Sequence, residues 1–223
     1  MKSNFAKAVL ITGHYGSGKT NLAVNLALDY RAGGEDVALC DLDIVNPYFR
    51  SSDFAQLADE RGIELIAPPF AGSNLDMPTI TGRLDAVLRQ PGRRVVVDVG
   101  GDDAGAIALG RYARTLKEAG YEMLYVINAS RPVIAHPADA VELLREIEGA
   151  SRLSATAVVN NTHMCGYTDA ASVEASAPYA QEVARLTGLP LAFTAARRDL
   201  TAHLSTPGDV YPVDIYVKLP WDR

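Results

Sequence analysis

Short apolar runs rich in β-branched residues alternate along the chain with segments whose apolar positions recur every three or four residues. The short runs predict strands at Lys7–Ile11, Asp36–Cys40, Glu64–Ala67, Arg94–Asp98, Met123–Asn128, Thr156–Asn160 and Pro190–Thr194. Val210–Val217 adds a last strand, and Pro212, lacking an N–H for a second neighbour, assigns it to an edge. The first helix follows Gly18, with Asn21, Asn25 and Asp29 as a polar line at i, i+4 spacing and Leu22 and Leu26 on an adjacent face. A second starts near His136, with Pro137 preset for the first turn and Val141, Leu144 and Ile147 spaced by three for burial. Further helices are expected near Phe54, Leu84, Ile107 and Val183.

Strands separated by helices imply a parallel sheet with crossover connections. The loops that follow strand C-termini are then Gly13–Gly18, Asp41–Arg50, Gly100–Gly105, Ala129–His136 and Asn161–Thr168. In open parallel sheets ligands collect at that edge. There is no internal repeat, low-complexity tract or long linker, so residues 1–223 are expected to form one doubly wound α/β domain.

Composition narrows the function. At 223 residues and 48% hydrophobic, the chain buries a large core and is not intrinsically disordered. A net charge of −6 counts against bulk binding to nucleic acid or anionic membrane. No apolar run approaches the roughly 18 residues of a membrane span, and Ala8–Ile11 is too short for a secretory core. Cys40 and Cys165 make no disulfide framework, which suits a cytoplasmic location.

The strongest chemical signal is Gly13-His14-Tyr15-Gly16-Ser17-Gly18-Lys19-Thr20, which fits G-x-x-x-x-G-K-[ST] between a predicted strand and a predicted helix. The first N–H groups of a helix lack internal partners, and glycines let a loop curl so that its N–H groups converge on a phosphate. Lys19 supplies an ammonium for β- and γ-oxygens, and Thr20 a hydroxyl for Mg²⁺. The candidate nucleotide-binding set is therefore Gly13, His14, Tyr15, Gly16, Ser17, Gly18, Lys19, Thr20 and Asn21.

Two more strands end in carboxylates. After the second comes Asp41-Leu42-Asp43, and alternation aims Asp41 and Asp43 the same way. The fourth ends Val97-Asp98-Val99-Gly100-Gly101, where Asp98 suits a metal shell and Gly101 would donate its N–H to a γ-phosphate.

Together these strings resemble the MinD/ParA branch of P-loop ATPases, which includes the nitrogenase iron protein and CobQ/CobB-type domains. The resemblance spans about Lys7 to Thr194 and includes Val126–Pro132 and Val158-Val159-Asn160. More narrowly, Gly13–Thr20 and Asp41–Arg50 are similar to a bacterial subgroup known only as ATP-binding proteins. It implies a three-layer α/β/α P-loop NTPase fold with a mostly parallel sheet of about seven or eight strands. It also implies Mg-ATP as ligand, a homodimer, a water-orienting role for Asp43, and contact of Asn160 with adenine. Thr20, Asp43 and Asp98 become the metal set, and Lys19 and Asp43 the catalytic pair.

The chain departs from that family at one place. The branch carries a signature lysine five positions before the loop lysine; here that position is His14, which lacks a permanent charge. Activation then moves elsewhere, for example to Arg50 or Arg131, and hydrolysis is expected to be slow without a partner. Guanine readers carry N-K-x-D where this chain has Asn160-Asn161-Thr162-His163, which favours adenine. The chain ends Lys218–Arg223 without a basic amphipathic helix, so MinD-type membrane attachment is not expected.

Other residues are weaker candidates. Cys165 lies near His163, and two cysteines suggest an iron–sulfur bridge, but Cys40 falls in a buried strand. His136 suits a helix start, and Arg197-Arg198 a solvated loop. The leading expectation is a Mg-ATP-dependent ATPase that switches conformation for an unidentified protein partner. The alternative is an ATP-dependent small-molecule kinase or synthetase, with Pro68–Thr79 shaping its acceptor pocket.

Overall fold

A computed structural model describes residues 6–43, 54–67, 77–101, 103–206 and 208–217. Eight strands form one sheet: β1 (Ala8–Thr12), β2 (Asp36–Asp41), β3 (Glu64–Ile66), β4 (Arg93–Asp98), β5 (Tyr121–Ile127), β6 (Ala157–Asn160), β7 (Leu191–Arg197) and β8 (Val210–Val213). Their order is β3-β2-β4-β1-β5-β6-β7-β8, and every neighbouring pair runs parallel. The expected edge strand is at the edge, with Pro212 in it.

The helices are α1 (Lys19–Ala32), α2 (Ala55–Arg61), α3 (Met77–Arg89), α4 (Asp103–Gly110), α5 (Ala113–Ala119), α6 (Pro137–Ser151), α7 (Ala170–Ala175) and α8 (Ala177–Thr187). They divide the core into two layers. On one face Leu10, Val95, Val97 and Tyr125 pack with Leu84, Leu109, Leu116, Leu144 and Val183 of α3, α4, α5, α6 and α8. On the other, Val9, Ile11, Val96 and Leu124 pack with Leu22, Leu26 and Ala58 of α1 and α2. Central strands such as Ala8–Ile11 are buried on both sides, and so read as unbroken apolar runs.

Two expectations need adjustment. The residues around Ile107 form two helices, α4 and α5, and α4 already starts at Asp103 inside the expected Gly100–Gly105 loop. β8 stops at Val213 instead of Val217, because the chain leaves the sheet to meet α1. There the polar line of α1 is spent. Asn21 Nδ2 donates to Asp214 O at 3.0 Å, and Asn21 Oδ1 accepts from Tyr216 N and Val217 N. Asn25 exchanges bonds with both the N–H and the carbonyl of Asp214, and Asp29 accepts the Tyr211 hydroxyl at 2.6 Å.

The candidate phosphate site

β1 ends at Thr12, and the chain bends through residues 13–18 before α1 begins at Lys19. Gly13, Gly16 and Gly18 hold φ of +143°, +74° and +87°, values that side-chain-bearing residues rarely adopt. At Gly13 a Cβ would fall 2.2 Å from the Val126 carbonyl of β5. Gly18 occupies the N-cap of α1, and no side chain caps the helix. The first turn of N–H groups is therefore left to face the loop. Ser17 N and Lys19 Nζ both donate to His14 O, at 3.1 and 3.0 Å. The buried Ser17 hydroxyl has no hydrogen-bond partner among the described residues. A cradle of glycines, an uncapped helix, an ammonium and a spare buried donor fits an oxyanion.

The loops after β4 and β2 close on this cradle. A Cβ on Gly101 would lie 2.6 Å from Tyr15 N and 2.8 Å from Lys19 Nζ, so only glycine fits so close to the bend. Asp41 and Asp98 are partners in the β2–β4 register, both buried, with Leu42 N bonded to Asp98 O at 2.9 Å. Asp43 is also buried, and its N–H donates to Asp41 Oδ1 at 2.8 Å. Strand parity places Asp41 and Asp98 on the face that carries α1. Thr20 is buried in the first turn of that helix. Among the described residues no three His, Cys, Asp or Glu gather into a cage.

The far side of the bend is braced from β5 and β6. Arg131 Nε donates to Gly16 O at 2.7 Å, and Asn161 Nδ2 to Ser17 O at 2.7 Å. His163 packs its Nε2 where a Gly18 Cβ would be 2.7 Å away. Asn128, fully buried, fixes both brace loops: its Oδ1 accepts from Ser130 N and His163 N, and its Nδ2 donates to His163 O. Burial, helped by the nearby Arg131 charge, pushes the His163 imidazole down to about 4. His14 is also held below its ordinary value, first by burial and then by the Lys19 and Arg131 charges, while its bond to Tyr15 O opposes the shift.

Two predicted contacts are engaged elsewhere. The Asn21 side chain clamps residues 214–217, which leaves its backbone N–H for the loop. Asn160 is fully buried; its Nδ2 donates to Ser176 Oγ and its Oδ1 accepts from Thr162 N and Oγ1. Tyr15 stands exposed on the loop. Arg50 and residues 68–76 of the possible acceptor stretch lie outside the described residues. Cys40 is buried, with its thiol pushed far up by burial and the neighbouring Asp41 and Asp98. Arg197 and Arg198 pair with Asp199 and Asp214. His136 is the residue before α6, without a side-chain cap bond. The bracing roles of Asn161 and His163 had no sequence signal, since Asn161 and Ser17 stand 144 positions apart.

No protein-family model matches the chain, and no curated protein matches it in sequence. Solved structures do resemble it. The cell division protein FtsY of Thermotoga maritima superposes with a TM-score of 0.60 at 19% identity, covering 86% of this chain and 62% of that one. FtsY of Elizabethkingia anophelis in complex with GDP gives 0.56 at 16% identity, covering 87% and 58%. The signal recognition particle 54 kDa protein of Aeropyrum pernix in complex with GDP gives 0.54 at 19% identity, covering 87% and 42%. The chain thus spans less than two thirds of these neighbours' lengths. At such identities the likeness speaks to architecture, and together with the loop geometry it gives this chain the fold of the P-loop NTPases.

Proposed function

We propose that this chain binds Mg-ATP in the phosphate loop, hydrolyses it, and uses the nucleotide state to switch its interaction with another protein. The observation that carries the reading is the convergence, at one edge of β1, β4 and β2, of an uncapped helix start, Lys19 and the buried Asp41, Asp43 and Asp98. Lys19 turns from His14 O to the β- and γ-oxygens, and the Gly101 N–H donates to the γ-phosphate. Thr20, Asp43 and Asp98 would hold Mg²⁺, which when bound neutralises phosphate charge. Asp43 orients the attacking water.

Adenine is favoured over guanine by what stands after β6. Guanine presents hydrogen-bond donors that an aspartate accepts, whereas position 163 is a histidine turned onto Gly18, and Asn161 is bonded to Ser17 O. Asn160 then shapes the base loop from inside through Thr162. The complexes with GDP belong to the structural neighbours and leave the base open to test here. A protein partner is supported by the exposed Tyr15, Val133, Met164 and Tyr167, which lie in loops and short 3₁₀ turns after β1, β5 and β6. The family resemblance adds a second copy of the chain as one such partner.

Calorimetry with Mg-ATP and Mg-GTP tests the reading, with Lys19→Ala abolishing tight binding. Asp43→Ala keeps binding and loses phosphate release. Heat from neither nucleotide would overturn the proposal, and phosphate found on a metabolite instead of in water would move it to the kinase class.

A further inference from the structure

The cation needed opposite the transferring phosphoryl group has no obvious source at position 14. The His14 imidazole is held below its ordinary value by burial, with the neighbouring Lys19 and Arg131 charges adding to the shift and its bond to Tyr15 O opposing it. One of those charges, Arg131, lies against the loop itself. Its Nε donates to Gly16 O at 2.7 Å, and the guanidinium carbon lies 2.9 Å from where a Gly16 Cβ would sit. The guanidinium therefore lies flat against the middle of the phosphate loop, in space that only a glycine leaves open.

Three further observations separate this arginine from an ordinary loop brace. It is half-buried, yet among the described residues it forms no ion pair, unlike Arg83, Arg93, Arg94, Arg185, Arg197 and Arg198. A half-buried cation with only a carbonyl acceptor keeps much of its charge for an incoming anion. Its backbone is also fixed beforehand. Arg131 N donates to Asn128 O at 3.0 Å, Ser130 N to Asn128 Oδ1 at 2.9 Å, and Pro132 follows in a short 3₁₀ turn. Finally, its charge is felt by His14 within the loop and by His163, which packs against Gly18 from the β6 side.

We propose that Arg131 is a same-chain arginine that positions the phosphate loop and neutralises charge on the γ-phosphoryl group during hydrolysis, so that turnover needs no cation from a second subunit. The inference rests on the nucleotide hydrolase reading above. In that step a water oxygen forms a bond to the γ-phosphorus as the bond to the bridging oxygen breaks. The bridging electron pair leaves with ADP, and the water's protons end on inorganic phosphate and in solvent. Arg131, fixed by Gly16 O, opposes the charge gathered on the oxygens, and a preset donor of this kind saves reorganisation in the transition state.

Single-turnover hydrolysis of labelled Mg-ATP by the full chain tests this, beside calorimetric affinity. Arg131→Ala is expected to slow the chemical step by about 100-fold or more while the dissociation constant changes by less than about 5-fold. Added guanidinium ion at low millimolar concentration should return part of the rate to Arg131→Ala and none to Lys19→Ala. The wild-type rate per chain should not depend on protein concentration, and mixing Arg131→Ala with Lys19→Ala chains should not restore turnover. Equal losses in rate and affinity, an unchanged rate, or recovery on mixing would each overturn the same-chain role. Arg131→Lys guards against a folding defect: a native melting profile with a rate still at least 10-fold down supports a need for the planar guanidinium, and full wild-type rate refutes it. A wild-type chain that binds Mg-ATP and never cleaves it would instead bring down the hydrolase reading together with this one.

Discussion

Single residues decide whether the phosphate loop can form. Gly13 combines a φ of +143° with a position where a Cβ would press to 2.2 Å from the Val126 carbonyl, which belongs to a rigid central strand. Gly13→Ala is expected to destabilise the fold by at least about 2 kcal/mol, from backbone strain and the clash together. Urea denaturation would measure it, and a neutral result would mean that the loop is free to leave β5. His163 carries a different signature. Folded, its imidazole titrates at about 4 against an ordinary 6.5. Between those values the unfolded chain takes up a proton that the folded chain refuses, so stability is complete above about pH 6.5 and falls as pH drops toward 4. The expected loss between pH 7 and 5 is about 1–2 kcal/mol. His163→Gln should flatten that part of the stability profile, and an unchanged slope would place the titration on another group.

Elements were legible in the sequence where a short-range pattern dictates them, and obscure where a distant partner does. The apolar runs of β1, β4 and β5 and the glycine-rich bend could be read directly, because burial on both faces and positive φ leave a composition signal. The polar line of α1 was equally visible, but its purpose was not. Asn21 meets Asp214 across 193 positions, and no spacing rule reaches that far. Asn160 was assigned to the base by family resemblance alone, and its amide is also engaged inside, where it holds Thr162 and Ser176. The clamp gives α1 a measurable task. Asn25→Ala removes the acceptor for Asp214 N and a donor for Asp214 O, and should cost about 2–3 kcal/mol. Hydrogen exchange would localise the effect: the amides of Asp214, Tyr216 and Val217 should exchange faster, while those of β1 and β4 keep the protection of the sheet centre. Uniform loss of protection would mean instead that the segment belongs to the global folding unit.

At the scale of the whole molecule, strand order explains why the site is where it is. β1 lies between β4 and β5, and β2 lies beyond β4, so three adjacent strand ends deliver the glycine bend, Gly101 with Asp98, and Asp41 with Asp43 to one spot. β5 and β6 deliver Arg131, Asn161 and His163 to the opposite flank of the same bend. A ligand there ties together loops from five neighbouring strands, and its binding energy therefore stabilises the sheet as a unit. At a Mg-ATP concentration about 100 times its dissociation constant the gain is about 2.7 kcal/mol, a rise in melting temperature of roughly 5–10 °C for a chain of this length. ATP with the metal chelated should give a smaller rise, because Lys19 and the helix start still hold the phosphates while Thr20, Asp43 and Asp98 add nothing. Asp98→Asn should erase the difference between the two conditions and leave the metal-free rise intact. If Asp98→Asn keeps the full Mg²⁺-dependent increment in scanning calorimetry, the carboxylates at the ends of β2 and β4 are not the cation's seat, and the metal enters with the nucleotide alone.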